Sequence, residues 1–383
     1  MGLDDLSKTK TKDYNMDKYK TKMTINKWFS YISLETLSES SRQAIGQFDR
    51  YSKKLTFKKV LKLFLYAIND ETDSLRHLDQ QLVNPNLKKV MGMESISYSQ
   101  LSRALRKIDP SVLMDIFTQL LSLVHEKTAV QSKERVFLID SSTFSLNKTR
   151  YPWGTFRPTK SGIKLHLKVC HMKEGWVHPE QFELSHASEH DHDHLNVFIN
   201  EKRATYVFDR GYLDFAQFDQ MNWEGYFFVS RIKKNTAVHV QAHLEVSHES
   251  GIISDQLVQL GKSTYLTGLF RLVTIERKHQ SNLRILTNRM DLSAEDIGKM
   301  YQSRWQIELF FKHIKQHLTI KTYYSQSEQG VENQVILAMI VYLLTLLMKL
   351  ELRLKSSLFT VLRQIRALQY EPFAYFKESF APV

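Results

Sequence analysis

The chain has 383 residues, 42% of them hydrophobic and 11% aromatic, so it can bury a sizeable core and is not a disordered chain. Its formal net charge of +12 and pI near 9.4 favour a polyanionic partner, either nucleic acid or an anionic membrane. The single cysteine, Cys170, excludes an internal disulfide and suits a reducing cytosol.

The first predicted elements are a polar arm and a helical region. Residues 1–25 are rich in Lys, Thr and Asp and lack the apolar core of a signal peptide. Apolar residues at three- to four-residue spacing predict helices over residues 26–128. One of these helices carries Arg103, Arg106 and Lys107 and could dock on DNA. For each of these cations taken alone, a solvated basic face is at least as good an interpretation.

Near residue 133 the pattern changes to short strands, two of which end in a carboxylate. "RVFLIDSSTFSL" predicts a buried strand with Asp140 at its exit, and "ATYVFDRGYL" predicts another with Asp209 at its exit. Between them, "GIKLHLKVCHM" alternates apolar residues with polar ones such as Lys164. The order of three strands, helix, strand, helix and strand predicts an α/β domain with a mixed sheet. Sites in open α/β sheets lie at the carboxyl ends of strands, which is where both aspartates are expected.

The last third of the chain contains a β-rich stretch and then helices. Short β-rich segments separated by turn residues predict an inserted β-subdomain over residues 235–292. The most apolar run, Val335–Leu350, is short for a membrane span, and we interpret it as a buried helix. Nucleic acid is therefore the expected anionic partner, and no membrane association is expected.

A histidine-rich segment, "LSHASEHDHDHL", allows two interpretations. His186, His190, His192 and His194 alternate with acidic residues and could bind a transition metal. Their spacing matches no zinc pattern, and a polar loop before a helix explains the segment as well.

The segment "YQSRWQIELFFKHIKQHL", residues 301–318, is predicted to be one amphipathic helix. Tyr301, Arg304, Glu308 and Lys315 fall on one side of that helix, within an arc of about 60° on an ideal wheel. An i,i+4 surface ion pair between Arg304 and Glu308 is the simplest interpretation.

A second interpretation joins Glu308 to Asp140 and Asp209 in one site. Three convergent carboxylates form a hard-oxygen cage for Mg²⁺ or Mn²⁺, and two such ions can hold a phosphate between them. Arg304 and Lys315 could then hold phosphates beside the bond that is broken. Tyr301 could hydrogen-bond a phosphate or stack on a base.

The spacing Tyr-x2-Arg-x3-Glu-x6-Lys of residues 301–315 resembles the signature of the DDE transposases of the IS-four group of bacterial insertion sequences. "FLIDSSTFSL" is similar to the first-Asp block of that family, and "YVFDRGYLDFAQF" is similar to its second. "SLRHL" and "YSQLSRALRKI" resemble the helical N-terminal domain of one branch. The resemblance covers nearly the whole chain.

The resemblance implies an α/β fold with an RNase H-like mixed-sheet catalytic core, an inserted β-rich subdomain, a helical N-terminal domain and a helical C-terminal region. It also implies two divalent ions, Mg²⁺ or Mn²⁺, held by three catalytic carboxylates. The corresponding positions here are Asp140, Asp209 and Glu308. The candidate DNA-binding residues are Tyr301, Arg304, Lys315, Arg103, Arg106, Lys107, Lys164 and Arg210. The expected domains are an arm (1–25), a DNA-binding domain (26–128), the first core part (129–234), the insertion (235–292), the second core part with the signature helix (293–330) and the C-terminal region (331–383).

The expected function is that of a bacterial transposase acting in the cytoplasm and associated with the nucleoid when bound to DNA. It would bind the terminal inverted repeats of an insertion sequence as a homodimer in a synaptic complex, cleave by two-metal chemistry, and join the ends to target DNA. Two alternatives stay open: a non-catalytic, domesticated DNA-binding protein, and a structure-selective nuclease of the same fold.

Overall fold

The computed structural model describes residues 23–128, 135–172, 176–212, 214–246, 251–261, 268–278, 280–318 and 322–381. Most of the predicted N-terminal arm lies outside the described residues. The chain divides into two compact units: unit 1 comprises residues 1–130 and 313–383, and unit 2 comprises residues 131–312. The N-terminal helices and the C-terminal helices therefore belong to the same unit.

The helices and strands are as follows in chain order. The first helices are α1 (Thr24–Phe29), α2 (Glu39–Asp49), α3 (Phe57–Asn69), α4 (Leu75–Gln81), α5 (Pro85–Met91), α6 (Tyr98–Lys107) and α7 (Pro110–Thr128). Then come β1 (Val136–Leu146), β2 (Thr155–Arg157), β3 (Lys160–His171), β4 (Val177–His186), α8 (Leu195–Phe198), β5 (Thr205–Phe208), α9 (Phe215–Glu224) and β6 (Phe227–Arg231). The remainder are β7 (Val238–His243), β8 (Ile252–Leu260), β9 (Phe270–Ile275), β10 (Leu283–Thr287), α10 (Ala294–Ser303), α11 (Trp305–His317), α12 (Glu328–Glu351), α13 (Leu358–Ala367) and α14 (Phe373–Glu378).

Unit 1 is organised around α12. This helix has 24 residues, and its most apolar 18-residue window has a mean hydropathy of 1.9, so by length and composition alone it could cross a membrane. In the structure 94% of that window is buried, because α7 and α3 pack along the helix. Even its polar Asn333 is buried and donates to the carbonyls of Leu105 and Ile108, at 2.9 Å each. The prediction of a buried helix is therefore confirmed.

Unit 2 is built on a ten-stranded mixed sheet in the described part of the chain. Its first half has the order β4-β3-β1-β5-β6: β4, β3 and β1 are antiparallel, and β1, β5 and β6 are parallel. This order, with a meander followed by two parallel strands, is that of an RNase H-like core, so the expected α/β fold class is confirmed. Between β5 and β6, α9 follows Asp214, whose side chain accepts from the Ala216 and Gln217 amides, and it is followed by Gly225 in the left-handed conformation.

The strands of the predicted insertion extend the same sheet. β10 pairs antiparallel with β6, and β9, β8 and β7 follow outward in turn. One apolar core covers residues from both halves, because Phe137 of β1 and Phe208 of β5 share it with Phe270 and Leu272 of β9. Hydrogen bonding and the core therefore make this region continuous with the sheet that carries Asp140 and Asp209.

Candidate active site

Strand register places Asp140 and Asp209 side by side. The parallel pairing of β1 with β5 ends at Ile139 opposite Phe208, so the two aspartates are the next residues on neighbouring strands. Paired strands lie about 4.8 Å apart, and residues in register point to the same face of the sheet. The predicted convergence of these two carboxylates thus has a backbone cause.

Asp140 does not lie at the exit of its strand, and that part of the prediction is wrong. β1 continues to Leu146, because β3 keeps pairing with it as far as Ser161 opposite Leu146. What ends at Asp140 is the pairing with β5 on the other edge. Asp209 does follow the last residue of β5, as predicted.

Sequence reasoning missed Arg231, which lies beside Asp209 on the next strand of the sheet. Phe208 of β5 is opposite Ser230 of β6, so Arg231 is the neighbour of Asp209 in the next position. The positive charge of Arg231 is close enough to oppose the rise in the pKa of Tyr301. The alignment of two chain segments revealed this arginine, and no local motif marks it.

The predicted single helix over residues 301–318 is interrupted at Arg304. α10 begins after Ser293, whose hydroxyl accepts from the Asp296 amide at 3.0 Å, and it ends at Ser303; α11 begins at Trp305. At the break, Arg304 donates to the Tyr301 carbonyl and accepts from the Ile307 amide, an i,i+3 pattern that tightens the turn. The prediction of one uninterrupted helix is therefore wrong at this point.

Arg304 connects two of the three carboxylates. Its Nη1 lies 3.2 Å from Asp140 Oδ2, and its Nη2 contacts Glu308 Oε1. The other oxygen of Asp140 accepts from the Ser141 amide at 2.8 Å. The Arg304 side chain is 16% exposed, so most of it is shielded from water. Glu308 is thus brought to Asp140 by a shared cation, and the pair with Arg304 is more than a surface contact.

Tyr301 approaches the third carboxylate. Its hydroxyl lies 3.4 Å from Asp209 Oδ1, which also accepts from the Arg210 amide at 2.7 Å. Tyr301 as a whole is 9% exposed. Burial, and then the charge of Asp209, raises the pKa of the Tyr301 phenol. In this arrangement the hydroxyl is the part of Tyr301 that faces the site.

The charges of Asp209 and Glu308 both act on Asp140. Burial raises the pKa of Asp140 from 3.8 to about 6, with smaller upward contributions from the charges of Asp209 and Glu308. The Ser141 amide and Arg304 oppose that rise. Three carboxylates with one cation between two of them leave excess negative charge, and their oxygens are the donors that Mg²⁺ and Mn²⁺ prefer. These residues therefore fit a divalent cation.

Behind Asp140 lies a polar layer that the sequence interpretation did not foresee. The Ser141 hydroxyl donates to Asp191 Oδ1 at 2.7 Å, and Lys164 Nζ is 3.2 Å from the same oxygen. Lys164 also donates to the Glu189 carbonyl at 2.5 Å, so contacts within the protein already engage this candidate DNA-binding cation. Asp191 has no sequence motif in common with Asp140, and only the fold brings them together.

The histidine-rich segment contributes to this layer. His194 stacks on the buried His166 with ring centroids 3.8 Å apart, and its two nitrogens lie 3.1 Å from Glu183 and 3.2 Å from Glu189. His192 lies instead 3.0 Å from Asp193. Because the imidazoles pair with different carboxylates, the polar-loop interpretation describes the segment better than a shared transition-metal site.

The remaining candidates are distributed over both units. In unit 2, Arg210 is exposed in a short 3₁₀ helix directly after Asp209. In unit 1, Arg103 and Arg106 are exposed on α6, and Lys107 donates to the Phe48 carbonyl at 3.0 Å. Lys315 lies on α11, and burial lowers the pKa of its ammonium group.

Comparison with known proteins gives matches along most of the sequence. Residues 131–344 match the family model described as "Transposase DDE domain". A probable transposase for insertion sequence element IS5377 of Geobacillus stearothermophilus is 27% identical over 79% of this chain and 78% of its own length. A putative transposase for insertion sequence element IS4SA of Synechocystis sp. is 26% identical over 85% of this chain and 92% of its own length. A piggyBac transposase solved in a synaptic complex with hairpin DNA covers 94% of this chain and 82% of its own, with a TM-score of 0.46 and 10% identity.

Proposed function

This chain belongs to the family of transposases with a DDE domain, and from that premise we propose that it binds the terminal inverted repeats of an insertion sequence and moves the element by cutting and joining DNA. As a DDE transposase it is an enzyme of metal-dependent DNA strand cleavage and transfer. Membership of the IS-four group in particular is part of the proposal, supported by the Tyr-Arg-Glu-Lys spacing of residues 301–315.

The observation that carries the proposal is the meeting of three carboxylates from distant parts of the chain. Strand register aligns Asp140 with Asp209, and Arg304 joins Asp140 to Glu308. We assign these three residues as the ligands of two Mg²⁺ or Mn²⁺ ions. When bound, such ions activate an attacking water or 3′-hydroxyl and stabilise the departing oxygen.

The surrounding side chains hold the DNA in this proposal. Arg304, Lys315 and Arg231 bind phosphates near the bond that is broken, where cations lower the repulsion between DNA and the carboxylates. Tyr301 directs its hydroxyl toward Asp209 and keeps that carboxylate oriented. Arg210 is an exposed cation beside the same residue and contacts the DNA backbone.

Recognition of the element ends is assigned to unit 1, through the exposed Arg103 and Arg106 on α6. The net charge of +12 supports a large electrostatic contribution to this binding. Lys107 supports the helix through its contact with Phe48. We further propose that the protein works as a homodimer in a synaptic complex, in the bacterial cytoplasm at the nucleoid.

A strand-transfer assay tests the proposal. The purified protein is incubated with Mg²⁺, a target plasmid and duplexes taken from the DNA that flanks its coding sequence. Cleavage at one boundary, with joining of the 3′ end to the plasmid, is the expected result. Cleavage without joining would indicate a nuclease, and binding without cleavage would indicate a non-catalytic DNA-binding protein.

A further inference from the structure

Arg304 contacts the same carboxylates that we assign to the metal ions. Asp140 Oδ1 accepts a hydrogen bond from the Ser141 amide, and Asp140 Oδ2 lies 3.2 Å from Arg304 Nη1. Glu308 contacts Arg304 Nη2 through its Oε1. A divalent cation held by Asp140 and Glu308 needs oxygens from both, and Arg304 already contacts one oxygen of each, Asp140 Oδ2 and Glu308 Oε1.

A guanidinium and a divalent cation repel each other at such separations. Two cations about 4 Å apart at a partly buried site interact by several kcal/mol even when the effective dielectric constant is about 20. The carboxylates between the two cations offset part of that repulsion, and an additional anion beside the guanidinium offsets more of it. The DNA phosphate is such an anion, and a bidentate arginine–phosphate contact is a strong charge-assisted pair.

The position of Arg304 allows it to exchange partners. At the break between α10 and α11 its amide and carbonyl keep i,i+3 hydrogen bonds to Tyr301 and Ile307, so the exchange requires only the side chain to move. Each carboxylate receives one guanidinium nitrogen, and neither holds Arg304 through a bidentate contact. Release of Arg304 therefore breaks two single contacts, a smaller loss than two bidentate pairs.

We propose that Arg304 is a positioning residue shared between the carboxylates and the DNA: it neutralises Asp140 and Glu308 until metal binding transfers its guanidinium to a DNA phosphate. Metal binding and DNA binding then assist each other. Metal ions displace Arg304 toward the phosphate, and a phosphate that holds Arg304 frees the carboxylate oxygens for metal. This coupling rests on the function proposed above and adds a specific order of contacts to it.

The test measures Mn²⁺ affinity directly, from the electron paramagnetic resonance signal of free Mn²⁺. Four proteins are compared without DNA: the wild type, Arg304→Gln, Arg304→Lys and the control Arg277→Gln. Arg277 is an exposed arginine in the loop after β9, so its substitution removes the same charge at the surface. Arg304→Gln should bind Mn²⁺ at least about fivefold more tightly than wild type, the lower end of usual coupling strengths, and Arg277→Gln should match wild type.

Arg304→Lys keeps one charge but cannot contact both carboxylates in the same way, so its Mn²⁺ affinity should fall between wild type and Arg304→Gln. If Arg304→Gln fails to fold by circular dichroism, Arg304→Lys carries the comparison. Addition of duplex DNA should raise the Mn²⁺ affinity of wild type more than that of Arg304→Gln, because only wild type has a guanidinium to transfer.

The outcomes separate this inference from the proposed function. Asp140→Asn identifies the site: if it leaves Mn²⁺ binding unchanged, the assigned metal ligands are wrong and the proposed function fails. If Asp140→Asn abolishes binding but Arg304→Gln binds Mn²⁺ equally or more weakly than wild type, the function stands and the shared role of Arg304 is overturned. Weaker binding would show that Arg304 holds the carboxylates in place for the metal.

Discussion

Two arginine–carboxylate groups in unit 2 differ in how their charges balance. Arg271 of β9 and Asp255 of β8 are 8% and 1% exposed, and they pair through Nε–Oδ1 at 2.8 Å and Nη2–Oδ2 at 2.5 Å. The remaining Nη1 donates to the Leu292 carbonyl at 2.5 Å. At the candidate active site, one arginine serves two carboxylates with one nitrogen each, and a third carboxylate is close by.

The first group is neutral and its hydrogen bonds are satisfied, so it needs no further partner. The second has more negative than positive charge, and it is more exposed: Asp140 and Glu308 are 22% and 34% exposed. A buried pair of the first kind stabilises one arrangement of strands, whereas excess charge at an accessible site attracts ions and ligands. The same two residue types therefore serve structure in one place and function in the other.

The largest expected effect is the loss of chemistry in Asp140→Asn. The substitution removes a metal-ligand charge while it preserves shape, so strand cleavage in Mg²⁺ should fall by on the order of 10³-fold or more. Binding to end DNA, measured by fluorescence anisotropy, should stay close to wild type. A parallel loss of DNA binding would mean that the substitution acts through folding, and the assigned role would be wrong.

An Asp→Asn substitution in the Arg271–Asp255 pair should lower stability instead of activity. Asp255→Asn leaves the buried Arg271 guanidinium without its counter-charge, and the free energy of unfolding should fall by about 3–5 kcal/mol. Denaturant unfolding followed by circular dichroism measures this change. A variant with unchanged unfolding free energy would show that the Arg271–Asp255 pair contributes little net stability.

Arg304→Ala and Lys315→Ala should each slow cleavage or strand transfer by on the order of 10²-fold, because a cation beside the reacting phosphate stabilises charge in the transition state. Denaturant unfolding of both variants is measured beside the rates, because Arg304→Ala leaves Asp140 and Glu308 without a mostly shielded counter-charge and can also lower stability. Arg277→Ala is the matched control and should react at the wild-type rate. Near-normal rates in both variants would mean that neither Arg304 nor Lys315 stabilises the reacting phosphate.

The smallest expected effect is on the free energy of unfolding as a function of pH, where Asp140→Asn should stabilise the protein at high pH. The folded pKa of Asp140 is raised to about 6, above its ordinary 3.8, so its stabilising contribution is complete below pH 3.8 and is lost as pH rises through 6. Asparagine does not ionise. At pH 8 without metal, Asp140→Asn should therefore be more stable than wild type by about 2–3 kcal/mol, and the difference should shrink toward pH 4.

Unfolding at pH 4 and pH 8 in the presence of a chelator measures this difference, with Asp255→Asn as the comparison. The two Asp→Asn exchanges should have opposite signs at pH 8. If Asp140→Asn were destabilising at pH 8, the negative charge of the carboxylate cluster would be matched by positive charge, as it is in the Arg271–Asp255 pair.

Local sequence patterns predicted the elements well and the long-range contacts less well. The mixed sheet, the strand before Asp209 and the buried apolar helix follow from periodicity and are confirmed. The position of Asp140 inside β1 and the break at Arg304 depend on which neighbouring strand or helix pairs with them. Short-range periodicity does not contain that information.

The parts of the site that the sequence did not reveal are those that depend on register. Arg231 follows from a one-to-one alignment of β5 with β6, and Asp191 approaches Ser141 only after β1 and β3 have paired. Neither residue stands in a motif. The extension of the sheet by β10 belongs to the same class, because antiparallel pairing with β6 joins segments more than 50 residues apart.

The central position of α12 has a consequence for how the protein is made on the ribosome. Helices α1 to α7 leave the exit tunnel first, yet the helix against which α3 and α7 pack ends at Glu351 and is synthesised near the end of translation. Unit 2 can form its sheet as soon as residue 312 has emerged, while the N-terminal helices still expose the surface meant for α12. Ribosomes that stop between residues 312 and 328 therefore release a protein with a complete unit 2 and an unfinished helical unit, a species that chaperones and proteases should recognise.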